Sequence, residues 1–413
     1  MRVSTSQIFS SGALGLLRNQ SSLYKLQNQM STGRRILTPE DDPIGASEAL
    51  NVTQSMSMNS QFLENQSNAS SQLSLVEDRL NGVVSLIQDV KARLVQAGNG
   101  SLTDSDRAAM AAEIRQRYDE ALSLANSADG SGEHLFSGFK GATEPFAVAG
   151  VPGSRTVTYN GDDGQRMLQV ENGRQMPVTQ TGSDVFMRIK QGNGVFMSSP
   201  GAANQGTGVM SSGSVTTGFD GSTYTLTFNN PPTTYDLSVT PPGGGPAVVT
   251  AGLPYTADAT IVMGPPGPPP QQFQVTLSGT PAAGDTFTVA PSTNRDLFAT
   301  LDKFIKALET PNQSNQTLKA AYQNNLVSID DSLDQALNNV LRVQTDIGAR
   351  QMALDSMKNV GEDVNLQYKS DLSRFQDLDY VSAITDMSKQ KMTLEAAQLS
   401  FKQTSSLSLF QYL

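Results

Sequence analysis

Residues 73–97 read LSLVEDRLNGVVSLIQDVKARLVQA, and their apolar side chains return every seven positions. Leu73, Leu80, Ile87 and Leu94 form one series, and Val76, Val83, Val90 and Ala97 fall three residues after each. A paired series of this kind buries one stripe of an α-helix against a partner helix. The spacing predicts a helix on the order of 40 Å long. It is expected to stop in QAGNGSLTDSDR, where Gly98 and Gly100 end it. Asp104 or Ser105 would then cap a second helix carrying Met110, Ile114, Tyr118, Ala121 and Ala125.

The same repeat returns near the other end. Leu326, Leu333, Val340, Ile347 and Leu354 are seven apart, with Ile329, Ala336, Val343, Arg350, Met357 and Val364 as companions. Arg350 is a charged intruder of the kind that fixes register, and Gly361 stands where the first series needs its next apolar residue. Both inner seams are expected to pack within one chain. Thinner seams lie further out: Phe9, Leu16, Leu23 and Met30, and Tyr380, Met387, Leu394 and Phe401, with Ala383 and Ala397 in support. One large apolar residue per two turns offsets little ordering entropy, so these ends are expected to fold when copies assemble.

Between the arms the composition changes. Residues 1–130 hold proline only at Pro39 and Pro43, and residues 295–413 only at Pro311, whereas 141–291 is rich in Gly, Pro, Thr and Val. Strands are predicted at 155–160, 165–171, 183–189, 223–229, 235–240, 259–263, 273–279 and 285–290. Asn160, Gly161 and Gly164 would turn the first pair into a hairpin. GPPGPPP (264–270) reads as a stiff exposed loop. The expected fold class is α+β, elongated and multidomain, with long coiled-coil-like helical arms and an inserted antiparallel barrel or sandwich. The domain reading is 1–38 with 372–413, 39–190 with 295–371, and 191–294.

Of 413 residues none is Cys, one is His and the net charge is -10. These values argue against thiol chemistry, an imidazole-based metal or triad site, and a nucleic-acid surface. His134 reads as an ordinary turn or surface histidine. No apolar stretch approaches the ~20 residues that span a bilayer, and MRVSTSQIFSSGALGLLRNQ lacks the apolar core of a secretory leader. The acidic clusters Glu40/Asp41/Asp42, Asp162/Asp163 and Asp330/Asp331 lack the spacing of a calcium loop. An enzyme in the insertion would have only Asp220, Asp236, Asp258 and Asp285 to work with. A binding module there is a further alternative. MSTGRRILTPEDDPIG (30–45) reads as a joint. Gly33 ends one helix, Asp42 and Pro43 start the next, and Arg34 and Arg35 have Glu40, Asp41 and Asp42 within reach.

MRVSTSQIFSS, QMSTGRRILTPEDDPIGASEAL, LVQAGNGSLTDSDRAAMAAEI and LANSADGSGEHLFSGFKGATEPF resemble the N-terminal region of bacterial flagellins and their junction relatives. QTDIGARQMALD and LEAAQLSFKQTSSLSLFQYL resemble the matching C-terminal region, and YNGDDGQRMLQV a small β element of the same family. The opening MRVSTSQ and the ending SLFQYL are closer to the hook–filament junction branch than to filament flagellin, which is the alternative. The resemblance implies a non-catalytic structural adaptor without cofactor or metal, exported through the flagellar secretion channel to the extracellular flagellum. It implies self-association in a ring and contacts with hook-associated protein 1, flagellin and an export chaperone. On that reading Phe9, Leu16, Leu23, Met30, Tyr380, Met387, Leu394 and Phe401, with Arg34, Arg35, Asp41 and Asp42 at the joint, are the expected assembly interface.

Overall fold

The computed structural model describes residues 5–264, 272–311 and 315–406. Its helices are α1 (Thr5–Thr32), α2 (Pro43–Ala97), α3 (Asp104–Ala125), α4 (Leu297–Glu309), α5 (Gln316–Gln376) and α6 (Tyr380–Ser406). The chain divides into two compact units, Met1–Gln66 with Asp355–Leu413, and Ser67–Leu354.

In the unit Ser67–Leu354 the inner seams are buried as the heptads predict. Every residue of the two α2 series is at most 4% exposed, as are Leu333, Val340, Ile347 and Leu354 of α5 with Ile329, Ala336 and Val343. Polar residues flanking the seams set α2 and α5 antiparallel. Lys91 pairs with Asp330 and Asp334, Gln344 Nε2 donates to Asn81 Oδ1 at 2.9 Å, and Gln351 Nε2 donates to Glu77 Oε2 at 3.0 Å. Helix α3 buries Met110, Ile114, Tyr118, Ala121 and Ala125 as expected. Its cap is Thr103 rather than Asp104 or Ser105. Thr103 Oγ1 accepts from Asp106 N at 3.1 Å while Asp106 Oδ2 accepts from Thr103 N at 2.9 Å, a reciprocal box that satisfies two donors at once. Helix α4 packs on α3, the Tyr118 and Phe298 rings meeting at 6.0 Å.

The small β element differs from expectation in two places. Strand β2 (Thr156–Tyr159) pairs back to β1 (Phe146–Ala149), and β3 (Met167–Glu171) pairs forward to β4 (Arg174–Pro177). The hairpin predicted between 155–160 and 165–171 therefore does not form. Its turn-like residues serve as a tether instead: Asp162 Oδ1 accepts from Phe139 N and Gly164 N, each at 2.9 Å. The strand predicted over 183–189 is a π-helical turn, Ser183–Met187, followed by the two-residue β5 (Ile189–Lys190). Val185 and Phe186 are both fully buried, and Phe186 is held in a ring cluster with Phe136, Phe146 and Phe298, packing that outweighs its strand propensity.

The insertion is an antiparallel sandwich. Its strands are β6 (Phe196–Pro200), β7 (Val209–Met210), β8 (Ser214–Val215), β9 (Thr223–Phe228), β10 (Thr234–Thr240), β11 (Val248–Pro254), β12 (Thr260–Met263), β13 (Phe273–Ser278) and β14 (Thr286–Pro291). Five of them fall on the predicted segments, while β6, β7, β8 and β11 were not predicted, β11 being exposed over nearly its whole length and so carrying no alternation. One sheet runs β11-β10-β9-β14-β6 and the other β12-β13-β7, with β8 also on β13. Tyr224, Leu226, Phe228, Phe287 and Val289 of the first share a core with Phe273, Val275 and Leu277 of the second. Strand β15 (Asn294–Arg295) returns to pair with β5, closing the neck of the insertion. From Pro265 onward the GPPGPPP loop lies outside the described residues.

In the other unit α1 and α6 lie antiparallel. The Phe9 and Phe401 rings are 5.0 Å apart at one end, and Tyr380 Oη donates to Met30 O at 3.3 Å at the other. The outer seams thus face each other within one chain. Leu16, Leu23, Met30, Met387, Leu394 and Phe401 are half-buried, while Phe9 and Tyr380 remain exposed. Leu14, Leu17, Tyr24, Val381, Ile384, Met392 and Leu399 are exposed on the remaining faces. Gly361, the gap in the inner series, is a close approach: a Cβ there would meet Leu63 Cδ2 at 2.9 Å, and Asn59 Nδ2 donates to its carbonyl at 2.7 Å.

Candidate functional site

Two helix breaks meet in the joint. Helix α1 ends before Gly33, whose φ of 69° is a left-handed C-cap conformation that a glycine adopts without strain. Asp42 Oδ1 accepts from Gly45 N at 2.9 Å, capping α2, and Pro43 takes the first-turn position where its missing N–H costs nothing. On the other strand of the pair, α5 ends at Gln376 and Asp379 caps α6, its Oδ1 accepting from Val381 N at 3.0 Å. Backbone bonds close one break on the other: Arg35 N donates to Gln376 O at 2.7 Å, and Leu378 N to Gly33 O at 2.9 Å. Arg34 and Asp377 form an antiparallel bridge between these bonds.

Charged side chains overlay this clasp. Lys25 Nζ, from the last turns of α1, lies 2.6 Å from Asp41 Oδ1, while Asp41 Oδ2 accepts from Leu37 N at 2.9 Å and Thr38 N at 3.1 Å. The Lys25 ammonium first, then these amides, hold the Asp41 carboxyl down at about 2. Arg35 Nη2 donates both to Asp42 Oδ2 at 3.1 Å and to Phe375 O at 2.9 Å. The Gly45 amide, followed by Arg35, lowers the Asp42 carboxyl as well. Of the pairings expected for the two arginines, Arg35 with Asp42 is present. Asp41 goes to Lys25 instead, and the side chains of Arg34 and Glu40 form no ion pair among the described residues. Lys25 is the joint residue that sequence reasoning missed. Its one available signal is that residues 1–39 carry cations and no carboxylate, so their first acidic partners are Glu40, Asp41 and Asp42.

A second feature, invisible in the heptads, is a polar stripe on α5. Thr317, Asn324 and Asp331 are seven apart and grip the loops of the sandwich. Thr317 Oγ1 donates to Gln205 O at 2.7 Å, Asn324 Nδ2 to Gly208 O at 2.9 Å, and Ser212 Oγ to Asp331 Oδ1 at 2.5 Å. Further along, Asn339 Nδ2 donates to Asp184 O at 2.7 Å and Arg350 Nη1 to Pro177 O at 3.2 Å. Arg350, the intruder in the seam, thus ties the small β element to the helix.

Three of the four acids of the sandwich, Asp220, Asp236 and Asp285, are committed to its own backbone and side chains. Asp285, 2% exposed, accepts from Gln205 N, Gly206 N and Ala282 N at 2.7–3.0 Å. Asp220 accepts from Ser222 N and Tyr224 Oη, each at 3.0 Å, and Asp236 from Asn229 Nδ2 and Gly252 N, each at 2.9 Å. Asp258 sits in a turn with φ of 62°. His134 Nδ1 lies 2.7 Å from Asn126 O. Among the described residues no three His, Asp or Glu side chains gather as a metal site, and no helix is long and apolar enough to cross a membrane.

Residues 3–140 match the bacterial flagellin N-terminal helical region. The crystal structure of flagellar hook-associated protein-3 from Legionella pneumophila is similar to this fold, with a TM-score of 0.70 and 31% identity over 78% of this chain and 97% of that one. Flagellar hook-associated protein 3 of Salmonella typhimurium is 27% identical over 411 residues, covering 100% of this chain and 99% of that protein. The flagellar filament 41 kDa core protein of Borreliella burgdorferi is 31% identical over only 142 residues, 34% of this chain and 42% of that protein. Similarity to the hook-associated proteins thus runs nearly end to end, and the chain belongs to the flagellar hook-associated protein 3 family.

Proposed function

We propose that this protein is the structural adaptor that joins the hook side of the bacterial flagellum to its flagellin filament, working by lattice-matched helical assembly and without catalysis. The observation that carries this reading is the 31% identity across 97% of a solved hook-associated protein of the same fold. Similarity to filament proteins covers about a third of the chain, which disfavours filament flagellin itself. Partners on this reading are hook-associated protein 1 on one side, flagellin on the other, further copies of the chain in a ring, and a chaperone before export through the flagellar secretion channel.

Residues 1–38 and 372–413 form the assembly domain, 39–190 with 295–371 the rod, and 191–294 the outer domain. Pairing of α1 with α6 within one chain means that Phe9, Leu16, Leu23, Met30, Tyr380, Met387, Leu394 and Phe401 act partly through this intramolecular pair. The exposed Leu14, Leu17, Tyr24, Val381, Ile384, Met392 and Leu399 supply the faces that neighbouring copies cover. A strain lacking the gene is expected to secrete flagellin at the normal level and shed it into the medium. Absence of secreted flagellin, or normal filaments, would contradict the adaptor role.

A further inference from the structure

We propose that Lys25 and Asp41 form a positioning lock that sets the angle of the α1–α6 pair on the adjoining ends of α2 and α5, and that this angle is what fits the subunit to the junction. The inference rests on the adaptor reading above and adds to it the residues that fix its geometry. The clasp between the two breaks consists of a few backbone bonds centred on Arg34 and Asp377. A bridge that short can hold the breaks together while leaving the helix pairs free to pivot about it. Two cations span the remaining freedom. Arg35 ties the cap of α2 to the last turn of α5 through Asp42 Oδ2 and Phe375 O. Two side chains reach from the body of α1 across the break: Gln29 Nε2 donates to Arg35 O at 2.5 Å, and Lys25 goes further, to a carboxylate that also holds the amides of Leu37 and Thr38. Asp41 therefore couples a helix to the linker that follows it. Its side chain is 13% exposed while that of Lys25 is 50% exposed, so the acceptor is seated and the cation is the moving part. A pair this open to solvent adds little to stability, and its effect is on orientation.

The test is a double-mutant cycle in a strain lacking the gene, complemented with wild type, Lys25→Met, Asp41→Asn, the double variant, or Lys25→Arg. Asparagine keeps an oxygen for the Leu37 and Thr38 amides and removes the charge. Shed flagellin is measured relative to filament, normalised to the amount of each variant on isolated hooks, alongside thermal unfolding of each purified protein. Each single variant is expected to raise shedding several-fold, the double variant no further, and Lys25→Arg to stay near wild type, with unfolding temperatures unchanged. Shedding at the wild-type level in the single variants, effects that multiply in the double, or a lowered unfolding temperature that accounts for the loss would each overturn the lock. Failure of the wild-type gene itself to retain filaments would overturn the adaptor reading instead.

Discussion

Lys303 shows what a buried charge costs in this molecule. Its ammonium donates to Ser328 Oγ at 2.8 Å between α4 and α5, and burial, then the nearby Arg295, push its pKa down to about 8, against Asp331, which pulls it up. Asp331 itself is pushed up by burial. A lysine whose folded pKa lies below its ordinary 10.5 penalises the folded state while it is charged, and the penalty fades as pH rises from 8 towards 10.5. Lys303→Met is therefore expected to stabilise the protein by about 1–3 kcal/mol at pH 7 in urea unfolding. The advantage over wild type should shrink towards pH 10. A variant less stable than wild type at pH 7 would mean that the Ser328 and Asp331 contacts outweigh desolvation. Asp285 is a contrasting case: buried, but with three backbone donors, and so a staple for the Gln205–Gly206 loop.

Among the elements, the helices were legible because their signals are local and periodic. Leu80→Ala or Leu333→Ala, at fully buried seam positions, should cost about 2–5 kcal/mol in chemical unfolding. Leu17→Ala, at a position 62% exposed, should change monomer stability by no more than about 0.5 kcal/mol. Equal losses at all three would refute the seam assignment. The inner strands of the sandwich were legible for the same reason, since Tyr224, Leu226 and Phe228 alternate with polar neighbours, whereas the edge strands β6 and β11 were not. What escaped was pairing at a distance. YNGDDGQ has the composition of a hairpin turn, but Asp162 and its neighbours bond to the 137–140 segment rather than closing a hairpin. SDVFMRI has strand-forming residues, and the aromatic cluster of Phe136, Phe146 and Phe298 around Phe186 overrides that propensity. In the joint, Gly33, Asp42 and Pro43 could be read from cap chemistry. Lys25 could not, because it stands sixteen positions before Asp41, beyond any local repeat. The stripe on α5 escaped as well, since its partners, two carbonyls and the Ser212 hydroxyl, are more than 100 residues away.

At the scale of the whole molecule, the sandwich hangs from a neck where Gln191 N donates to Thr293 O at 3.0 Å. Deleting 195–290 is accordingly expected to leave the helical rod folded, with its far-ultraviolet helical signal intact and filament retention preserved. Loss of retention would give the outer domain a part in the junction. The terminal segments are expected to behave differently: limited proteolysis of the free subunit should remove roughly the first 35 and last 40 residues and leave a folded remainder. Resistant ends in dilute monomer would contradict ordering upon assembly. The most direct test of the adaptor role is electron cryomicroscopy of intact flagella carrying a density tag in the sandwich. Tag density confined to a short zone between hook and filament is the predicted result, and density repeating along the filament would contradict it.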